Sequence, residues 1–242
     1  MDTYKYKRIL LKLSGEALMG DAAFGISNDV LAYIAEEIKE LRSLGTEIAV
    51  VIGAGNIFRG VAGASTGMDR AVADNMGMLA TVMNALAISD TLEQIGVNTA
   101  VLSAIPMETV CKPYSHRRAM DHLELGDIVI FAAGTGNPYF TTDTAAVLRG
   151  LEINADIICK ATRVDGVYDK DPLVFHDAVK FESLSYEEVL KRRLKVMDSA
   201  AISLAMDNSK TILVLNMNIA GNIKKAICGE KIGTLISGVD NE

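Results

Sequence analysis

DIVIFAAGTGNPYFTTDT, residues Asp127 to Thr144, runs an apolar stretch into a loop of glycines, an amide, hydroxyls and one carboxylate, and then into a helix start. The stretch Asp127–Ala133 is unbroken rather than alternating, the pattern of a parallel strand buried on both faces. Because the helical pattern begins near Thr142, the loop lies at a strand's carboxyl end, where open α/β sheets bind ligands. Gly134 and Gly136 allow close approach of the backbone, Asn137 and the threonines offer hydrogen bonds, and Asp143 places a negative charge in the first helical turn. Taken singly, Asn137-Pro138 reads as a turn and Thr142 or Asp143 as a helix cap. Taken together, the run reads as a loop for a polar ligand.

Outward from it, strand-length apolar runs recur at Ile9–Leu13, Ile48–Ile52, Thr99–Leu102, Ile128–Ala132, Ile157–Cys159 and Ile212–Leu215, with a short last one near Thr234–Ile236. Between them lie amphipathic segments such as Asp29–Leu44, where Val30, Ile34, Ile38 and Leu41 recur at helical spacing before Gly45 ends the pattern. The alternation predicts βαβ units and a mostly parallel sheet. The long helical pattern Asp69–Ile95 carries Met76, Met78, Leu79, Met83 and Leu86, a flexible apolar stripe suited to a core or a subunit interface.

Half of the 242 residues are hydrophobic, enough for a large core, and no Pro- or Ser-rich linker divides the chain, so one α/β domain over residues 1–242 is expected. A formal charge of −7 argues against a general nucleic-acid or membrane surface and leaves small molecules and further copies of the chain as partners. Cys111, Cys159 and Cys228 are odd in number and lie in no CxxC spacing, which suits a reducing cytoplasm better than a disulfide framework or a zinc site. The polar opening MDTYKYKR and the lack of an unbroken run of about 18 apolar residues predict neither export nor membrane insertion. His116, His122 and His176 show no metal-binding spacing.

Other strand ends repeat the polar theme. Lys12, Ser14 and Gly15 offer a cation, a hydroxyl and a backbone amide where phosphate could be held. Gly53-Ala54-Gly55-Asn56 leads to Arg59 and Gly60, setting a guanidinium suited to bidentate phosphate contact beside a glycine-rich turn. After Ile157–Cys159 come Lys160, Thr162, Asp165, Tyr168 and Asp171. Three bases at three strand ends predict a polyanionic ligand of the nucleoside di- or triphosphate class. Walker A and the protein-kinase signatures are missing, and the Gly53 segment does not complete G-x-G-x-x-G, so P-loop, protein-kinase and hydride-transfer readings are unsupported.

The segments KRILLKLSGEAL (Lys7–Leu18), VVIGAGNIFRG (Val50–Gly60), DNMGMLATVMNALAISD (Asp74–Asp90), GTGNPYFTTDT (Gly134–Thr144) and KATRVDGVYDKDP (Lys160–Pro172) together resemble the bacterial uridylate kinase (UMP kinase) family of the amino acid kinase superfamily. The resemblance implies a three-layer αβα sandwich around a mostly parallel sheet of about eight strands. It implies transfer of the ATP γ-phosphate to UMP, with Mg²⁺ carried on ATP, in a cytoplasmic homohexamer that GTP activates and UTP inhibits. By the same resemblance Lys12, Asp143, Lys160 and Arg59 are catalytic. The ATP set adds Ser14, Gly15, Gly55, Thr162, Tyr168 and Asp171. UMP falls to Ala54, Asp74 and the run Thr135, Gly136, Asn137, Pro138, Tyr139, Phe140, Thr141 and Thr142. The family's GTP-activation region maps to Gly20, Asp21, Ala22, Ala23, Phe24 and Gly25. Two positions depart from the family pattern: Ala54 stands where a third glycine is common, which would crowd the backbone if its φ were positive, and Ala23 replaces a frequent glycine in the activation region.

Overall fold

In the computed structural model, which describes residues 4–58 and 67–238, the apolar runs become β1 (Arg8–Leu13), β2 (Glu47–Ile52), β3 (Thr99–Ser103), β5 (Ile128–Ala132), β6 (Ile157–Thr162), β10 (Ile212–Asn216) and β11 (Thr234–Ser237). Short strands β4 (Lys112–Pro113) and β9 (Ser183–Ser185) join them, and β7 (Val167–Tyr168) and β8 (Lys180–Phe181) form a separate hairpin. The nine-stranded sheet runs β4-β3-β5-β2-β1-β6-β10-β11-β9, antiparallel only between β10 and β11. It agrees with the expected sheet of about eight strands; β4 and β9, two and three residues long and absent from the apolar runs, sit at the two edges. Strands that short leave no apolar run to read, and short edge strands limit unwanted pairing.

Among the described residues seven helices cover the sheet: α1 (Asn28–Ser43), α2 (Arg70–Gln94), α3 (His116–Glu124), α4 (Thr142–Glu152), α5 (Tyr186–Lys191), α6 (Ser199–Asp207) and α7 (Asn222–Ile227). Two cores result. Ile9, Leu11 and Leu13 of β1 face α1, α2 and α7, while Leu10 faces the layer of α3, α4, α5 and α6. Period-two alternation therefore sends Lys12 toward the α4 side, together with Leu10. Helix ends follow the local signals: Gly45 has φ +86° just beyond α1, and Asp69 caps α2 by accepting from the Val72 amide at 3.1 Å.

Helix α2 is the longest helix among the described residues. Its 25 residues are long and apolar enough to cross a membrane by length and composition alone. Here it buries Ala73, Met78, Val82, Ala85, Ile88 and Leu92 in the core, so part of its apolar character is accounted for by the sheet it covers.

From β1 the chain first builds the β2, β5, β3 side and then returns to place β6 on β1's other edge. The crevice beside β1 and β6 is the topological switch point at which such sheets hold ligands.

Candidate active site

At that switch point Lys12 and Lys160 are register partners on β1 and β6. β6 continues past the apolar run to Thr162, so Lys160 and Thr162 belong to the ladder and not to the loop after it. Asp143 rises from the first turn of α4 between the two lysines: its Oδ1 lies 2.6 Å from Lys12 Nζ and its Oδ2 2.8 Å from Lys160 Nζ. The Oδ1 contact is a close ion pair without an aligned hydrogen bond. All three side chains are at most 15% exposed. The cap of α4 is Thr141, whose Oγ1 accepts from the Asp143 amide at 3.0 Å, and not Thr142 or Asp143. That division of labour leaves the Asp143 carboxylate for the lysines.

Burial alone pushes the Asp143 carboxyl up, but the charges of Lys12 and Lys160 outweigh it and hold it below the ordinary carboxylate range. Lys160 moves down from the usual lysine value, chiefly through burial, with Asp143 opposing and Lys12 assisting. The two directions agree physically: one carboxylate shared between two ammonium groups is well compensated, while each ammonium receives only part of a counter-charge.

Two glycine-bearing turns cross beside this cluster. A Cβ on Gly15 would stand 2.6 Å from Gly55 N and Asn56 Oδ1 and 2.7 Å from Gly53 O, so only glycine fits at this contact. Ser14 caps the 3-10 turn Gly15–Met19, its Oγ accepting from the Ala17 amide at 3.3 Å. Asn56 and Asn84 exchange amide hydrogen bonds of 2.9 and 2.8 Å, Asn84 Nδ2 also donates to Gly53 O at 2.8 Å, and Asn56 Nδ2 to Gly25 O at 2.9 Å. This buried pair fastens α2 and the Gly20–Gly25 segment to the Gly53 turn. Ala54 is buried and its φ is not positive, so its methyl meets no backbone strain. Arg59 and Gly60 lie outside the described residues.

A cavity of about 550 Å³ opens on one side and is lined by Lys160, Thr162, Tyr168, Asp171, Arg193 and Val196 among others. Thr162 Oγ1 donates to Val164 O at 2.6 Å, the Tyr168 hydroxyl donates to Asp165, and Asp171 Oδ1 accepts from the Leu173 amide at 2.9 Å, so these side chains shape the wall as well as facing it. On the other side a cavity of about 170 Å³ is lined by Ala54, Arg70, Asp74, Gly134, Phe140, Thr141 and Thr142, with Phe58 and α2. Lys160 borders the first cavity, and Thr142, adjacent to Asp143 in the chain, borders the second. The charged cluster thus lines the first cavity through Lys160 and lies one residue along the chain from the second.

Of the Thr135–Thr142 run, Phe140, Thr141 and Thr142 line the smaller cavity, whereas Thr135 and Asn137 bond to each other in a turn at 3.2 Å, and Pro138 follows that turn. Gly136, at φ +80°, is required by the chain itself: its Cβ would meet Ala104 O at 3.1 Å. Tyr139, at φ +72°, donates its amide to Asp74 Oδ2 at 2.8 Å. Gly20, Asp21, Ala22, Ala23 and Phe24 form a mostly exposed segment outside both cavities. Gly25 joins it to Asn56 through a 2.9 Å backbone bond.

Sequence reasoning passed over Asp198, which accepts from the Thr141 hydroxyl, from Thr144 Oγ1 at 3.0 and 3.1 Å, and from the Ala201 amide at 2.8 Å as the cap of α6. It also passed over Val196, whose carbonyl accepts from Lys160 Nζ. The one local signal for Asp198 was an acidic residue just before an apolar helical run.

The chain matches the amino acid kinase family over residues 7–216. It is similar to the crystal structure of UMP kinase from Bacillus anthracis, with 40% identity and a TM-score of 0.93 over 96% of each chain. To the UMP kinase of Ureaplasma parvum it shows 36% identity and a TM-score of 0.89, covering 96% of this chain and 99% of that one. The uridylate kinase of Archaeoglobus fulgidus gives 26% identity and a TM-score of 0.73 over 95% and 99%.

Proposed function

The chain belongs to the amino acid kinase family, and from that premise we propose that it is an ATP-dependent UMP kinase, passing the γ-phosphate of ATP to UMP to give UDP and ADP in pyrimidine nucleotide synthesis. The observation that carries this reading is the convergence of Lys12 and Lys160 on Asp143, with Lys160 lining the larger cavity and Thr142, next to Asp143 in the chain, lining the smaller. The resemblance of nearly the whole chain to two UMP kinases at 40% and 36% identity supports the choice of acceptor.

Phosphoryl transfer asks for positioning and for neutralisation of charge on the moving group. A phosphate oxygen of UMP attacks the γ-phosphorus as the bond from that phosphorus to the ADP oxygen breaks, so no protein nucleophile is needed. Two ammonium groups against one carboxylate leave the cluster with a surplus positive charge that the transferring group can complete. Asp143 keeps the like-charged lysines aimed at one point. ATP, arriving as its magnesium salt with the ion neutralising phosphate oxygens, takes the larger cavity, with phosphates toward Lys12, Ser14, Gly15 and Gly55 and the nucleoside toward Thr162, Tyr168 and Asp171. UMP takes the smaller cavity, with its ribose at Asp74 and its phosphate toward Ala54, Thr141 and Thr142. Arg59 joins the phosphate set by resemblance.

The same reading treats residues 1–242 as one amino acid kinase domain, supported by a sheet that runs unbroken from β4 to β9. It places the enzyme in the cytoplasm as a homohexamer activated by GTP through Gly20–Gly25 and inhibited by UTP. Exposed apolar side chains on α2 support assembly, and the bond from Asn56 to Gly25 gives the activation segment a physical route to the Gly53 turn.

ADP release measured with UMP, CMP, carbamate and aspartate offered in turn tests the reading. UMP should be turned over, and carbamate and aspartate refused, because a site built for hydroxyls and a base leaves its polar groups unpaired around a small acid. Equal turnover of a non-nucleotide acceptor would assign the chain to another kinase of the family.

A further inference from the structure

Asp74 does not stand alone at the wall of the smaller cavity. Arg70, one turn earlier on α2, donates from Nε to Asp74 Oδ2 at 2.8 Å, and its guanidinium lies 5.7 Å from the centre of the Tyr139 ring. The Tyr139 amide donates to that same Oδ2 at 2.8 Å. Both donors therefore use one carboxylate oxygen, and among the described residues none bonds to Oδ1. Tyr139 meanwhile holds φ +72°, a conformation few non-glycine residues adopt, and its contacts with Arg70 and Asp74 fasten that turn of the Gly134–Thr142 loop to α2.

We propose that Arg70 is a positioning residue of the acceptor site, clamping Asp74 and the Tyr139 turn into one wall so that Asp74 Oδ1 is presented to a hydroxyl of the acceptor's ribose. The inference rests on the UMP kinase reading and deepens it. A planar guanidinium fixes a carboxylate's orientation in a way a free carboxylate in a half-open cavity lacks. It also makes the Arg70–Asp74 pair electrically neutral. The wall is then suited to the uncharged ribose, while the acceptor phosphate is drawn to the surplus positive charge at Lys12 and Lys160. Arg70 touches Asp74 and Tyr139, not the reacting atoms, so its effect should appear in acceptor binding and discrimination.

The test compares the unaltered enzyme with Arg70→Gln and Arg70→Lys, using UMP, its 2′-deoxy and 3′-deoxy analogues, and ATP. Arg70→Gln should raise KM for UMP roughly tenfold or more, the scale of one charge-assisted hydrogen bond, and should shrink the preference for UMP over at least one deoxy analogue by a similar factor. KM for ATP and the melting temperature should hold. Arg70→Lys, which keeps the charge but loses the planar guanidinium and its Nε donor, should fall between, and it serves as the readout if the glutamine variant folds poorly. Equal losses for UMP and both analogues, a parallel rise in KM for ATP, or unchanged kinetics would overturn the proposal. If the unaltered enzyme fails to use UMP at all, the parent reading falls and this inference with it, an outcome distinct from an altered Arg70 variant with no selective effect.

Discussion

Lys12 and Lys160, far apart in the chain, are paired across the ladder between β1 and β6, and their ammonium groups meet on the two oxygens of Asp143. Register partners on neighbouring strands point to the same face about 5 Å apart, so two buried cations are forced together. Their repulsion is tolerable only with a counter-charge between them, which α4 supplies from its first turn. The arrangement holds positive charge ready for a ligand that brings negative charge, the property a phosphoryl-transfer site needs.

Asp143→Asn should lower kcat by roughly a hundredfold or more while changing KM for either nucleotide far less, because the lost interaction matters most as charge shifts in the transition state. Thr141, not Asp143, caps α4, so no capping role can account for such a loss. Steady-state kinetics decide it: near-normal kcat would reduce Asp143 to a structural residue.

The same variant carries a pH signature. The folded-state pKa of Asp143 lies below its ordinary value, so its stabilising contribution is complete above the unfolded pKa of about 4 and is lost as pH falls through that value toward the lowered one. Urea unfolding should therefore show the unaltered protein ahead of Asp143→Asn by a constant margin from about pH 7 to 5, narrowing toward about pH 3. Lys160 shifts in the same downward direction, and its linkage adds stability as pH rises from its lowered pKa toward the usual lysine value; because both variants keep Lys160, the comparison with Asp143→Asn reads the carboxylate. A margin that widened on acidification would contradict the assignment.

Gly15→Ala should damage both activity and stability. The added methyl would lie 2.6 Å from Gly55 N and 2.7 Å from Gly53 O, backbone atoms that cannot swing aside. Separating the two turns should cost about 1–3 kcal/mol, as overpacking does, and should displace the Lys12 end of β1 from the Gly53 turn. A thermal melt with kinetics on one sample checks both; unchanged values would mean the turns have slack to separate.

Val72, Met76, Leu79 and Met83 recur at helical spacing along α2 and are 39–56% exposed. Such a flexible apolar stripe should be covered by another copy of the chain. Light scattering on the unaltered protein should give a multiple of 25.9 kDa, and Leu79→Glu with Met83→Glu should shift the mass downward. A monomer before substitution would dispose of the interface.

Asn84→Ala removes a buried amide that holds Asn56 and Gly53. With Asn56 losing one partner and the Gly53 carbonyl another, a loss of about 1–3 kcal/mol is expected, the range for buried polar groups left unsatisfied. Denaturant midpoints at constant slope measure it, and a change within about 0.5 kcal/mol, ordinary for surface sites, would show that water replaces the amide.

What the sequence determined by itself was whatever depends on near neighbours. Unbroken apolar runs identified β1, β2, β3, β5 and β10, since a strand covered on both faces needs no alternation. The stop at Gly45, the start of α4 near Thr142 and the polar loop after β5 were legible because caps and turns are set by a few adjacent residues. The longer motifs singled out Lys12, Asp143 and Lys160 through family resemblance. Only the tertiary structure could place Lys160 inside β6 opposite Lys12, add β4 and β9 to the sheet edges, and bring Asp198 to Thr141, Asn56 to Asn84 and Arg70 with Asp74 to Tyr139. These contacts are long-range or rest on strands too short to pattern. A carboxylate or amide far along the chain carries no local periodicity; its partner is fixed by strand order and register, which are decided when the whole sheet closes its core.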